Sequence, residues 1–333
     1  MKAFTVFVAI FATAFSAFAD TTNVLERFSP HFPTNTPILW QAPTNGWPKS
    51  LWIYKRLPPR PFPASVISNA AVLASLPSSG MPKPSTNAFY IWSTPNLCGV
   101  SFSMFSIQPA SATVSFGATN QNPSTGDVPD DETVTRRASE CTVRLGLDQA
   151  HLVPGGVYVK SNADSCEGTL TNSICARGIH LARELDGVKF FSFGKDNNEM
   201  EGFSIEFGRS GQIRSFSLKW PDLEAEHKSL TASPREIVRC IRQRRVLVLP
   251  KDDEPNFFAR IKMLADAKTF TITNLSLFYG EGIFGEMPTG DEPPQIIAPF
   301  AELDAIADFG NSNTVVQLLS PILSTDISRL PGK

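Results

Sequence analysis

Histidine and tyrosine are scarce in this chain, with four of each among 333 residues, whereas phenylalanine numbers 25. Histidine is the commonest general acid–base group, so the shortage leaves little material for proton-transfer chemistry. His31, His151, His180 and His227 stand in no metal-ligand or triad spacing. Neither sign of charge is in excess: the formal net charge is −2, which supplies no bulk field toward nucleic acid or an anionic membrane. There is no Cys-x-x-Cys, Gly-x-Ser-x-Gly, His-Glu-x-x-His, P-loop or dinucleotide fingerprint. These gaps lead us to expect no metal, no cofactor and no assignable catalytic residue.

What is present begins with a leader. Lys2 is followed by an apolar stretch from Ala3 to Phe18, and Ala17-Phe18-Ala19 supplies a small-x-small cleavage site before Asp20. Residues 1–19 read as a signal peptide, which makes the protein exported, periplasmic or extracellular. No later apolar run reaches the roughly 20 residues of a spanning helix, so no transmembrane span is expected after cleavage. An oxidising compartment permits disulfides. Cys166 and Cys175 bracket a short polar loop suited to a bridge, and Cys98 with Cys141 is a second candidate pair. Cys240 falls on the apolar side of a predicted helix, as a small buried hydrophobe.

Proline, at 27 residues, crowds the first third. Residues 20–85 read as an extended Pro-rich arm, because each proline removes a backbone donor and holds its predecessor extended. Trp40, Trp47, Trp52 and Tyr54 are interleaved with these prolines, so the arm packs aromatics onto the body and is no free linker. A short helix is expected from Ala64 to Leu76. Residues 86–250 read as an α+β domain, and residues 251–333 as a C-terminal α+β part ending in a hairpin.

In the middle domain, Phe89–Trp92, Gly99–Ile107 and Ala112–Gly117 have strand composition. Pro129-Asp130-Asp131-Glu132 opens a helix on which Val134, Ala138, Cys141 and Leu145 recur at helical spacing. Then come Ile179–Leu185, a tight turn at Asp186-Gly187, Val188–Phe193, a strand with Phe203, Ile205 and Phe207, and Ile213–Trp220. Short turns predict a four-strand antiparallel meander, with a few helices packed on one face. Ser233-Pro234-Arg235-Glu236 is a capping box with proline at the first helical position. Val246–Leu249 reads as a strand, Phe257–Ala267 as helix or strand, Phe270–Tyr279 as a strand, and Ile296–Phe309 with Thr314–Leu323 as the last hairpin.

The order of these features from Ile179 to Ile241 resembles PepSY-type and related accessory domains of bacterial envelope proteins. The resemblance rests on Leu185-Asp186-Gly187-Val188, Phe203-Ser204-Ile205-Glu206-Phe207, Ser210-Gly211-Gln212-Ile213 and Thr231-Ala232-Ser233-Pro234-Arg235-Glu236. It covers about a fifth of the chain. It implies an extracytoplasmic binding or regulatory role and transfers no functional residue by position.

Three clusters were weighed for function. Arg235, Arg239 and Arg242 share a helix face, with Arg244 and Arg245 just beyond, and could meet an anionic polymer, a peptide or an envelope protein. The plain alternative is a solvated helix face with cations near its C-terminus. Asp196-Asn197-Asn198-Glu199-Met200-Glu201 offers oxygen ligands but lacks the full calcium loop. Glu281, Glu286, Asp291 and Glu292 lie in a Gly/Pro loop and would be needed for a carboxylate-dependent hydrolase. The sequence favours a non-enzymatic binding or regulatory protein of the cell envelope. A structural or assembly protein docking through its aromatic arm is the first alternative, and the hydrolase the second.

Overall fold

The computed structural model describes residues 28–58, 60–76, 90–95, 102–119, 126–147, 151–161, 174–190, 202–249, 256–281 and 296–323. The expected leader, Cys98, Cys166, the Asp196–Glu201 cluster and the carboxylates Glu286, Asp291 and Glu292 lie outside these residues. In chain order the strands and helices are β1 (Ile38–Trp40), β2 (Ser50–Arg56), α1 (Ala64–Leu73), β3 (Tyr90–Pro95), β4 (Phe102–Gln108), β5 (Thr113–Thr119), α2 (Asp131–Arg144), β6 (Leu152–Ser161), β7 (Ile174–Leu185), β8 (Val188–Phe190), β9 (Gly202–Gly208), β10 (Ile213–Lys219), β11 (Leu223–Leu230), α3 (Pro234–Arg242), β12 (Leu247–Leu249), α4 (Phe257–Met263), β13 (Thr269–Glu281), β14 (Ile296–Asp308) and β15 (Asn313–Pro321). The class is α+β.

The chain divides into two compact units that do not follow it end to end. One takes residues 1–55, 186–199 and 224–333; the other takes 56–185 and 200–223. The expected break at residue 250 therefore falls inside the first unit. The segment resembling PepSY-type domains is divided, with β7, β9 and β10 in the second unit and α3 in the first.

The second unit is an antiparallel sheet in the order β3-β4-β5-β10-β9-β7-β6. Period-two alternation sends Phe105, Ile107, Val114, Phe116, Ile179, Leu181, Phe203, Ile205, Phe207, Phe216 and Leu218 to one face. Ile67, Ala70 and Leu73 of α1 and Val134, Ala138 and Cys141 of α2 pack in the same core. Helix α2 starts where the residues dictate: Asp130 accepts a hydrogen bond from the Thr133 N–H at 2.8 Å. It stops at Gly146, whose φ of +74° suits a left-handed cap.

The four-strand meander requires one correction. The strand order is β8-β7-β9-β10: β8 follows the Asp186-Gly187 turn beside β7 as expected, but β9 pairs antiparallel with β7 over Ala176–Ala182, and β8 also pairs parallel with β13. The other edge of β7 over the same stretch is taken by β6.

The first unit has a mixed sheet. β13 and β14 form a long antiparallel pair; β14 also pairs with β2 and β15, and β15 with β12. β1 runs parallel to β13. Phe270, Ile272, Leu303, Ala305, Val316 and Leu318 are buried here, as are Ile237, Cys240 and Ile241 of α3. The Pro-rich arm is built in, with β1 and β2 as sheet strands and Phe32 packed on Phe270 at 4.6 Å between ring centroids. Among the described residues no helix is long and apolar enough to cross a membrane.

Candidate functional site

α3 is placed by its own first turn. Ser233 Oγ accepts from the Glu236 N–H at 3.3 Å, and the Glu236 carboxylate accepts from the Ser233 N–H at 2.7 Å, so both halves of the capping box are formed. Burial of Ile237, Cys240 and Ile241 fixes the inner face, and Arg235 and Arg239 are exposed on the outside.

The arginines expected to form one patch separate into different roles. Arg242 is a strut: its guanidinium donates to Pro33 O at 3.3 Å and to Thr36 O at 2.5 Å, which ties the arm to the helix. Arg245 lies beyond the C-cap residue Gln243 and is half-buried. The turn that takes it off the helix passes through Arg244, at a φ of +58°, and Ser29 Oγ donates to Arg244 O at 2.8 Å. Only Arg235 and Arg239 remain as an outward-facing pair.

A shallow groove of about 590 Å³ opens at the start of α3, lined by Thr44, Trp47, Pro48, Lys49, Leu230, Thr231, Ala232, Ser233, Pro234 and Glu236. Arm and helix build it together, because the Thr231 N–H and hydroxyl donate to Lys49 O and Pro48 O. Trp47 packs against Trp40 at a tilt, with ring centroids 5.8 Å apart, and Leu230 is 68% exposed. The Trp47 indole N–H is buried without a hydrogen-bond partner among the described residues. The groove thus offers an apolar wall, several hydroxyls and Lys49, next to a helix that carries Arg235 and Arg239.

The histidines do not converge. His31, His151 and His227 are exposed, and His180 is half-buried in the second unit, stacked on Tyr158 with ring centroids 4.9 Å apart. Burial, with Lys160 nearby, lowers the His180 pKa below its ordinary value. Around that stack, buried Glu206 pairs with Lys160 at 2.5 Å and lies 3.7 Å from Arg214. The Tyr158 hydroxyl is held protonated by burial and by Glu206. No group of three or more metal-binding side chains occurs among the described residues. The arrangement joins side chains of four strands, β6, β7, β9 and β10.

Two further polar clusters escaped sequence reasoning. In the first unit Asp186 Oδ2 accepts from Tyr54 at 3.2 Å and from Tyr279 at 3.3 Å, and Tyr279 also donates to Trp52 O. Gln317 of β15 bridges Glu302 and Asp304 of β14 at 3.2 and 3.1 Å. Burial first, then Asp304, raises the Glu302 pKa. Their signal was a carboxylate every second residue on a strand, Glu302 and Asp304, which spacing alone could have shown. Cys141, Cys175 and Cys240 are buried free thiols. The expected partners Cys98 and Cys166 lie outside the described residues.

No protein-family model matches this chain, and no curated protein does. Among solved structures, an uncharacterized protein from Eubacterium rectale is similar over 90% of this chain and 95% of its own, at 9% sequence identity and a TM-score of 0.42. That likeness carries no argument about function.

Proposed function

We propose that this is an exported, non-enzymatic binding or regulatory protein of the cell envelope, with the groove at the start of α3 as its contact surface. The partner is an anionic peptide, protein segment or polymer. One observation carries the reading: the arm is packed into its sheet beside an open groove lined by Lys49 and Glu236, at the start of a helix that carries exposed Arg235 and Arg239. An assembly protein docking through its arm would hold Trp40, Trp47 and Trp52 outward, whereas all three are half-buried. The resemblance to PepSY-type domains supports the reading only through the strands β7, β9 and β10.

The test is capture from an envelope fraction by the purified mature protein, compared with Arg235→Ala/Arg239→Ala. Arg242 is left intact because it holds the arm. The reading requires the double variant to lose salt-sensitive capture while keeping the native unfolding midpoint. Equal capture by both proteins would discard the groove as the contact surface.

A further inference from the structure

β11 has β2 along one side. The Thr231 N–H donates toward that side, to Lys49 O. Successive residues of a strand face opposite sides, so Glu224, Glu226, Lys228 and Leu230 aim their backbone N–H and C=O groups away from β2. At Ala232 the outward direction is already in use: its N–H donates to Ile322 O at 2.6 Å, and Thr231 makes an antiparallel bridge with Leu323. The chain at Leu323 therefore stands at the outer edge of β11, directed antiparallel to it. Glu224, Ala225, Glu226, His227 and Lys228 are all exposed. Among the described residues no strand pairs with this outer edge, and an open edge is a template for unwanted pairing, which folded proteins cover or blunt.

We propose that the outer edge of β11 is a strand-addition site, and that its occupant is the segment following Leu323, residues 324–333. The Thr231–Leu323 bridge sets the register. Charge fits that register: it brings Asp326 opposite Lys228, and Arg329 opposite Ala225, between Glu224 and Glu226.

Amide hydrogen exchange read residue by residue tests this on the full chain and on a chain ending at Leu323. In the full chain the outward amides of Glu224, Glu226 and Lys228 exchange slowly. Truncation speeds them about tenfold or more and leaves the β2-facing amides of Ala225 and His227 unchanged. Equal rates in both chains, whether fast or slow, overturn the proposal. Should the truncated chain fail to fold, the full-length charge swap decides. Asp326→Lys alone and Lys228→Glu alone each speed the outward amides, and the double variant restores them. Failure of that restoration overturns the proposal as well.

Discussion

Tyr158 lies across Gly178, its register partner on the neighbouring strand, so closely that a Cβ at position 178 would fall 2.5 Å from the phenol oxygen and 2.8 Å from Ile205 O. Only glycine fits beneath the ring, and the ring covers the backbone that glycine leaves bare. Gly178→Ala is expected to cost about 1–3 kcal/mol by overpacking. In urea unfolding, the double variant Gly178→Ala/Tyr158→Ala loses less than the sum of the two singles, because the clash with the ring is gone and only that with Ile205 O remains. Strict additivity would show that the pair does not interact.

Arg242 behaves differently from its helical neighbours. Arg242→Ala removes two donations to arm carbonyls and costs about 1–3 kcal/mol, with faster proteolysis near Thr36. Arg235→Ala and Arg239→Ala stay within about 0.5 kcal/mol of the parent, since both side chains are exposed. Unfolding midpoints of the three variants, with limited proteolysis, check the division of roles.

His180 links stability to pH. Its folded-state pKa lies below the ordinary value, so the unfolded chain takes up the proton first as pH falls. Stability contributed by the neutral imidazole is present above about pH 6.5 and is lost as pH drops from there toward the folded pKa. The groups at this ring are Tyr158, stacked on it, and Lys160, which itself pairs with Glu206. Melting temperatures between pH 8 and 5 should fall more steeply for the parent than for His180→Gln.

Glu302 has the opposite sign. A carboxyl raised by burial favours its protonated form in the fold, so its contribution is present at low pH and is lost as pH rises through the folded pKa. Glu302→Gln is expected to raise the urea midpoint at pH 7, with the gain vanishing near pH 4. An equal gain at both pH values would mean that charge is not the cause.

Cys240 tests the reading of the buried thiols. Burial pushes its pKa up to about 11, so little thiolate forms at pH 8. Iodoacetamide labelling followed by peptide mapping should leave Cys240 unmodified in the native protein and modify it in denaturant.

Local signals in the sequence were legible wherever a short motif decides the outcome. The capping box at Ser233, the helix start at Asp130 and the turn at Asp186-Gly187, with φ of +52° and +76°, all form as their residues require. The hairpin of β14 and β15 follows its hydrophobic pattern. What was hidden depends on partners far along the chain. β6 contains Pro154-Gly155-Gly156, which looks like a loop, yet it pairs with β7 through a register shift between Pro154 and Gly156. β11 is mostly polar, as an edge strand can be, and so carries no hydrophobic strand pattern. The site was half legible: the arginine stripe of α3 is real, but the arm carbonyls that claim Arg242 and the groove wall around Trp47 come from residues some 200 positions away.

N-terminal sequencing of the native protein after cell fractionation tests the central claim most directly. An exported binding protein begins at Asp20 and is recovered from the envelope or the medium. Recovery from the cytosol with Met1 or Lys2 still in place would contradict it.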